Sequence, residues 1–336
     1  DALQLLVADS RISISGPGRI GTVPFEGEWT RAIGAGSGGA SQVNGTIELS
    51  ERLIDEFNIG LPSGTLSGAG QASVTVDLAK GAVPALSLSS NLRGVAMRIP
   101  ELGWRKSAKT AGKLALSGRL GDQPVIDDIS IEAAGLSARG TITTKAGGGL
   151  DKATFSRVTV GNWLRVPVTL TGQGKGAPLK IDVSGGTLDL RSAEFGKGGG
   201  QGGGQGDKMN LRLDTLQITD SLALKNMRGT FTTKGGLDGD FTANLNGGTL
   251  IQGQVLPQNG RSAVRVTSID AGGVFASAGV LKQARGGDLS LTLVPVGKDG
   301  AFDGQLNVKN TRIIEAPAIA ELLNALSIVG LLEQMR

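Results

Sequence analysis

Apolar and polar residues alternate with a period of two along most of the chain, which is typical of half-buried β-strands. The pattern is clearest where single polar residues separate Leu289, Leu291 and Leu293. Side chains two residues apart point to the same side of a strand, so the alternation predicts a sheet with one apolar face. The residues predicted to form this face are Val74, Val76, Leu78, Leu86, Leu88, Leu114, Leu116, Ile129, Ile131, Ile181, Val183, Leu211, Leu213, Leu289, Leu291, Leu293, Leu306 and Val308.

Turn-forming sequences separate these strands at the spacing that antiparallel hairpins require. Gly, Asp, Asn and Lys are concentrated in residues 121–124, 234–236, 246–248 and 297–300. Such clusters between alternating segments are typical of hairpin turns. They predict a mainly β fold, a long antiparallel meander. Because sheets twist, we expect this meander to form a curved, elongated β-groove.

Helical spacing of apolar residues occurs in three short segments, residues 51–59, 271–284 and 318–332. Ser50 and Asp270 precede the first two and are the candidate N-cap residues, because their side chains can accept a hydrogen bond from the first turn. Three short helices are too few to cover an apolar face built from about twenty strands. Either the sheet packs on itself or another molecule fills the face.

Glycine content divides the chain into three regions. Residues 1–195 form a strand-rich region with a short helix near residues 51–59, and residues 208–336 form a second such region with the other two predicted helices. The segment between them, residues 196–207, is rich in glycine and is predicted to be a flexible linker.

Composition limits the chemistry that the protein can perform. The chain has no Cys, His or Tyr, so thiolates, imidazoles and phenols are unavailable as nucleophiles, bases or metal ligands. We therefore predict no enzymatic activity, no cofactor and no metal site. The net charge is +4, and the basic residues are dispersed rather than clustered, which argues against nucleic-acid binding. The tryptophans that a base-stacking platform would bring together lie far apart in sequence, at Trp29, Trp104 and Trp163.

Aromatic residues make up only 3% of the chain, so Leu, Ile, Val and Ala must line the apolar face. A lining without hydrogen-bonding groups suits the acyl chains of a lipid. The residues therefore favour a lipid-binding groove.

Two glycine motifs resemble nucleotide-binding loops but lack the required context. Residues 16–21 match G-x-G-x-x-G, yet the residues that follow do not begin a helix, so we interpret the motif as a turn. The glycine-rich run at 196–206 contains Lys197, but no Ser or Thr follows this lysine. It does not match a P-loop.

Paired carboxylates occur at Asp127 and Asp128 and at Asp238 and Asp240. Both pairs lie beside predicted turns, where Asp is favoured because its side chain caps local backbone groups. Neither pair belongs to a loop with the ligand spacing of a calcium site. We predict no acid–base or metal chemistry there.

The sequence has no run of about 18 apolar residues and no signal-peptide pattern. It begins with Asp1 rather than Met. We expect a fragment of a longer protein, with any targeting segment outside it.

Several segments of the C-terminal third resemble the C-terminal region of the AsmA-like family, whose members include YhdP and TamB. They are residues 270–281, 285–291, 304–317 and 319–332. The earlier segment 53–78, a short helix followed by a strand, is similar to the segments between repeats of the large YhdP-type members. The motifs concerned are structural and include no catalytic signature.

The resemblance implies a bridge-like lipid transfer protein of the Gram-negative cell envelope. Such a protein is anchored in the inner membrane by an N-terminal helix, which we expect to lie outside this sequence. It projects a β-groove into the periplasm and moves phospholipid towards the outer membrane, contributing to outer-membrane biogenesis. The implied partners are phospholipid acyl chains and, through parts outside this chain, the two membranes.

Two other classes of function remain open. A structural or adhesive all-β rod, or an envelope-assembly scaffold, would use the same strands without conducting lipid. An enzyme relying on Asp or Lys would need a constellation of such residues that the sequence does not contain.

Overall fold

The computed structural model describes residues 3–34, 38–59, 61, 64–174, 177–193, 206–234, 236–258, 261–297 and 301–314. With 63% strand and 5% helix, the protein is mainly β. Of the strands described, 22 hydrogen-bond into one large mixed sheet, and most of them pair antiparallel with their neighbours in sequence. The predicted mainly β meander is therefore confirmed.

The chain divides into two compact units. Unit 1 comprises residues 1–160 and 169–177, and unit 2 comprises residues 161–168 and 178–336. The predicted region 1–195 thus extends into unit 2. The predicted linker at 196–207 stays a prediction, because most of it lies outside the described residues.

Unit 1 contains strands β1 to β12 and helix α1, which spans Glu51–Glu56. In chain order, these strands are Gln4–Ala8, Arg11–Ile20, Val23–Ala32, Ser41–Ser50, Leu66–Leu78, Ala85–Ser90, Val95–Ile99, Trp104–Lys106, Lys113–Arg119, Val125–Ala133, Leu136–Thr144 and Leu150–Val160. Antiparallel pairing runs from β1 to β6, continues directly to β9, and proceeds to β12. Strands β7 and β8 form an insertion that pairs with the beginning of β5. A short 3₁₀ helix, Pro100–Leu102, joins them.

Unit 2 contains most of strand β13, whose last three residues belong to unit 1, strands β14 to β24, and helix α2, which spans Ala271–Ser277. In chain order, these strands are Leu164–Thr171, Lys180–Ser184, Thr187–Asp189, Lys208–Gln217, Ala223–Thr232, Asp238–Leu245, Leu250–Gln258, Arg261–Ser268, Ala284–Arg285, Asp288–Pro295, Phe302–Lys309 and Arg312–Ile313. Strands β16 to β20, then β22 and β23, pair antiparallel in succession. Strands β14 and β15 both pair parallel with β16, which the prediction of an antiparallel meander did not include.

Helix α1 is shorter than predicted and is capped differently. It ends at Glu56 rather than Ile59, and Asn58 follows with a φ of 47°. Ser50 occupies the N-cap position, but its hydroxyl donates to Glu48 instead of capping the helix. A longer-range contact holds the other end, since the Glu56 carboxylate accepts hydrogen bonds from the N–H and hydroxyl groups of Thr22.

Helix α2 is capped as predicted, because the Asp270 carboxylate accepts a hydrogen bond of 2.9 Å from the N–H of Gly273. It ends at Ser277 rather than at residue 284. Gly279, at a φ of +73°, takes the left-handed conformation that ends many helices. The third predicted helix, at 318–332, lies outside the described residues.

Within the described residues, no helix has the length and hydropathy needed to span a membrane.

Candidate apolar binding face

The predicted face residues of unit 1 lie on one side of the sheet. Val74, Leu88, Leu116 and Ile129 are successive cross-strand partners on β5, β6, β9 and β10. Residues directly opposite in adjacent strands share a face, so these four side chains form one continuous apolar row. Val76 pairs with Leu86 in the next row. The row of Val76 and Leu86 continues through Val43 and Trp29 to Ile14.

Unit 2 repeats this arrangement with a different set of strands. One row consists, in strand order from β14 to β23, of Val183, Leu211, Gly229, Phe241, Gly253, Val266, Leu291 and Leu306. A second row lists Ile181, Met209, Phe231, Gly239, Val255, Val264, Leu293 and Gly304. We call these rows, together with those of unit 1, the apolar faces of the two units.

The opposite side of the unit 2 sheet is polar in the same register. One row contains Asn210, Thr230, Asp240, Gln254, Arg265, Thr292 and Gln305. The sheet therefore separates an apolar side from a polar side, as the alternation predicts.

The predicted face residues differ in how completely they are covered. Val74, Val183, Leu213 and Leu289 are buried, and the other fourteen are half-buried. A well-packed core would exclude water from nearly all of these side chains. Most of the predicted face is thus accessible within each unit.

In unit 1 the covered part of the face lies at one end of the strands. Helix α1 contacts β3, β4 and β5 at this end. Here Val23, Ile47, Leu49 and Leu53 are each no more than 7% exposed. The β7–β8 insertion contributes Trp104, which is also buried and whose indole N–H donates to the Ala134 carbonyl at 3.0 Å.

Towards the other end of the same strands the face is open. Trp29, Val43, Val76 and Leu86 are half-buried, and Ile14 is 36% exposed. These residues form one ladder row and carry no hydrogen-bonding side chain except the indole of Trp29. The open half of the unit 1 face is therefore a largely aliphatic surface that is partly exposed.

Unit 2 has a similar gradient. Leu216, Leu224 and Leu245 are ladder partners at the end nearer α2, and each is at most 9% exposed. Val264 and Leu293, farther along their strands, are half-buried. Burial also changes across the strands, because Phe231 and Val255, which continue the row of Val264 and Leu293, are 2% and 7% exposed. The accessible aliphatic surface of unit 2 therefore lies on β20, β22 and β23.

Phenylalanine rings lie over glycines on both faces. A Cβ atom built on Gly253 would lie 2.0 Å from Cζ of Phe241, and one on Gly45 would lie 2.8 Å from Cε2 of Phe25. The same holds for Gly229, which lies under Phe231. Because these glycines have no side chain, the phenylalanine rings can lie along the sheet close to its backbone. This pairing was not predicted, although the sequence carries a signal for it, since Phe and Gly lie two residues apart at positions 25 and 27 and at 229 and 231.

The glycine motif that resembles a dinucleotide-binding loop lies mostly within a strand. Most of the G-x-G-x-x-G segment, residues 16–20, belongs to strand β2, and only Gly21 lies in the following turn. The prediction of a turn over the whole motif was wrong, because Gly16 and Gly18 pair across the ladder with Gly27 and Phe25.

The carboxylate pairs are in the sheet. Asp127 and Asp128 accept two hydrogen bonds each from Arg119 and Arg139, respectively. The hydrogen bonds and charge of the Arg119 guanidinium lower the pKa of Asp127 below its ordinary value. Among the described residues, no group of three or more Asp and Glu side chains is arranged to hold a metal ion.

A buried lysine is the feature that sequence reasoning missed entirely. Lys106 is 2% exposed, and its ammonium donates to the carbonyls of Leu92, Val95 and Ser107 at 2.6, 2.8 and 3.1 Å. Lys106 lies two residues after Trp104, so its side chain points to the same, inward side of β8. This spacing is the only indication of its burial in the sequence.

Comparison with known proteins identifies no relative of this chain. No protein-family model matches the chain, and neither a curated protein nor a solved structure matches it. The resemblance to the AsmA-like family therefore stays a prediction.

Proposed function

We propose that the apolar faces of the two units bind the acyl chains of lipids and that this binding involves no catalytic step. The observation that carries the proposal is the accessible part of each face, which in unit 2 lies on β20, β22 and β23. There, aliphatic side chains occupy consecutive ladder positions and remain only half-buried. Their alternation with polar rows leaves the opposite side of the sheet suited to water.

The energetics favour an aliphatic ligand. Removing a methylene group from water is worth about 0.8 kcal/mol, so an acyl chain lying along the rows gains more with each carbon it buries. The rows offer few hydrogen-bond donors or acceptors. The binding is therefore tolerant of chain length and position, and it allows a bound chain to slide.

We further propose, from the resemblance to the AsmA-like family, that this face is part of a periplasmic bridge. In this proposal phospholipid moves between the inner and outer membranes, and the membrane contacts belong to parts of the protein outside this chain. The alternative is a structural rod or assembly scaffold, in which the faces carry no lipid.

Lipid extracted from the purified protein tests the proposal. Native mass spectrometry and solvent extraction are expected to find co-purifying phospholipid. The substitution Leu291→Asp places a charge on an apolar row of unit 2 and is expected to lower the bound lipid by roughly a third to a half, because the face of unit 1 stays intact. Thr292→Asp is the matched control, because Thr292 is the next residue and belongs to a polar row. It is expected to leave the lipid content unchanged.

Two outcomes would contradict the proposal. One is wild-type protein that is folded by circular dichroism and carries no lipid even after incubation with phospholipid vesicles. The other is an equal loss of lipid in both variants, since a charge on either side of the sheet would then act in the same way.

A further inference from the structure

Two parts of unit 1 that are far apart in the sheet contact each other. The carbonyl of Asn58, just after helix α1, accepts a hydrogen bond of 3.1 Å from the N–H of Gly149, in the turn between β11 and β12. A Cβ atom built on the neighbouring Gly148 would lie 3.3 Å from the Cβ of Asn58, so the two backbones approach closely. The end of α1 is therefore docked on the tip of the β11–β12 hairpin, residues 145–149. We call the contact of Asn58 with residues 148–149 the clasp.

The sheet of unit 1 must curl to allow this contact. Strands β5, β6, β9 and β10 lie between β11 and β4, the strand that α1 follows. The same ladders place the hairpin tip and the start of α1 at opposite ends of the strands. In a flat sheet, about 24 Å across the strands and about 25 Å along them would separate the two. The segment from Ser50 to Asn58, which is mostly helical, spans only about 15 Å.

Helix α1 lies on the apolar side of this curled sheet. Its Leu53 is 7% exposed, and the helix contacts β3, β4 and β5. On β4 the buried apolar residues are Ile47 and Leu49, which lie an even number of residues after Val43 and so share its apolar side. The hairpin tip thus meets α1 over the apolar side. The clasp closes a ring, formed by α1 and the strands from β4 to β11, around part of the unit 1 face.

Both halves of the clasp have a backbone conformation that suits the contact. Asn58 has a φ of 47°, and the N–H groups of Asn58 and Ile59 donate to the carbonyls of Asp55 and Ile54, which is a common way for a helix to end in a left-handed residue. The helix stops there, so the Asn58 carbonyl accepts from the hairpin instead. In the hairpin tip, residues 147–149 are all glycine and have φ angles of 80°, 97° and 84°, which glycine adopts without strain.

The clasp is a small contact beside a firmly held helix. The Glu56 carboxylate fixes the end of α1 by accepting hydrogen bonds of 3.0 and 2.8 Å from the N–H and hydroxyl groups of Thr22. Across the part of unit 1 that the structure describes, the clasp contains the only hydrogen bond between residues 51–59 and the hairpin tip. Phe57 and Ile59 beside it are 50% and 39% exposed, so they add little packing. Regions with few buried contacts open at a small fraction of the free energy of global unfolding.

We propose that the clasp is the entrance through which an acyl chain reaches the apolar face of unit 1, and that it closes again over the bound chain. This inference rests on the proposed lipid binding by that face. The ring encloses one ladder row in which Val76, Leu86, Ile126 and Ile142 are half-buried. An acyl chain bound along this row buries apolar surface, which the closed clasp then shields from water. Opening separates the hairpin tip from α1 and leaves the helix in place.

A disulfide across the clasp tests the proposal, because the chain has no cysteine of its own. In the double variant Asn58→Cys/Gly148→Cys, the Cβ atoms lie close to the separation of about 3.8 Å found in disulfides. The assay follows transfer of pyrene-labelled phosphatidylcholine from vesicles to the protein, in a Leu291→Asp background that leaves unit 1 as the main acceptor. Oxidation is expected to slow this transfer about fivefold relative to the reduced protein. The two single-cysteine variants are the controls, and their rates are expected not to respond to reductant.

A pair of glycine variants makes the opposite change without a disulfide. Gly148→Ala puts a Cβ atom 2.7 Å from Nδ2 of Asn58 and weakens the clasp, so transfer is expected to become about twofold faster. Gly147→Ala is the matched control, because Gly147 also has a positive φ but no atom lies within 4 Å of its new Cβ. This variant is expected to take up lipid at the rate of the parent protein.

The outcomes separate the entrance from lipid binding itself. Equal transfer to the oxidised and reduced forms of the folded, disulfide-bonded double variant would overturn the clasp as an entrance and leave lipid binding intact. Equal rates for the two alanine variants would also overturn it. Protein that takes up no labelled lipid in any form would contradict lipid binding, and the entrance with it.

Discussion

Lys106 satisfies its ammonium group without a counter-ion among its hydrogen-bond partners. Three backbone carbonyls accept its three N–H bonds. One of them belongs to Leu92, which is 1% exposed and has a φ of 55°, an unusual conformation for a bulky residue. The lysine thus stabilises the strained turn that leads into the β7–β8 insertion.

Removing this ammonium is expected to destabilise unit 1. In Lys106→Met the buried carbonyls lose their donor, and the better packing of an apolar side chain offsets only part of this loss. We expect the free energy of unfolding to fall by about 2–3 kcal/mol, measured by urea denaturation. Lys109→Met, at an exposed lysine of the same segment, is the control and is expected to change it by less than about 0.5 kcal/mol. Equal stability of the two variants would contradict this role.

The same lysine predicts a pH dependence. Burial lowers the pKa of Lys106 below its ordinary value of 10.5, because an ammonium ion loses hydration there. Between the folded-state pKa and 10.5, the unfolded chain holds a proton that the folded chain has released. The folded state therefore becomes more stable as pH rises through this window. The difference in unfolding free energy between wild type and Lys106→Met is expected to increase with pH there, and a decrease would contradict the lowered pKa.

At the level of strands, the pairing of phenylalanine with glycine determines how closely a ring approaches the sheet. Phe241 lies across the ladder from both Gly229 and Gly253. Glycine is normally unfavourable inside a strand, because it packs no side chain. Here the ring covers the glycine, an arrangement that compensates for the missing side chain.

Gly253→Ala tests this arrangement. The new Cβ would lie 2.0 Å from the Phe241 ring, so the ring must move, and we expect a loss of about 1–3 kcal/mol in thermal or urea unfolding. The loss is expected to be smaller when Phe241 is replaced by Leu in the same chain. Gly18→Ala, in a strand position with no atom within 4 Å of the new Cβ, is the control and is expected to be nearly neutral. Equal effects at both glycines would show that the ring is not the cause.

At the scale of the molecule, each unit has its own apolar face. Leu88→Asp in unit 1 and Leu291→Asp in unit 2 are each expected to lower the phospholipid content of the purified chain in part. The double variant is expected to lower it by about the sum, because the substitutions act on different rows. Ser89→Asp and Thr292→Asp, whose side chains point to the other side of the sheet, are the controls. Complete loss of lipid in a single variant would mean that one face binds all of it.

Much of the fold follows from the sequence because its causes are local. Alternation such as that of Leu289, Leu291 and Leu293 reflects the pleat of a single strand, and turn residues determine where a strand ends. The Asp270 cap likewise depends on residues three apart. Helix ends were less predictable, since Glu56 bonds to Thr22, which is 34 residues away in the sequence.

The residues of the candidate face, but not their accessibility, could be predicted from the sequence. Alternation assigns Leu213 and Leu293 to the same side of the sheet, yet the first is buried and the second is half-buried. Burial depends on which distant segments pack over a row, and α1 and the β7–β8 insertion cover only one end of the unit 1 strands.

The chain by itself therefore determined a mainly β meander with one aliphatic face, because strand geometry is set by neighbouring residues. Only the tertiary structure decided which part of each face is covered, that glycines lie beneath phenylalanine rings, and that Lys106 is buried. Each of these depends on contacts between strands that are far apart in sequence, and their packing is not encoded in any short pattern.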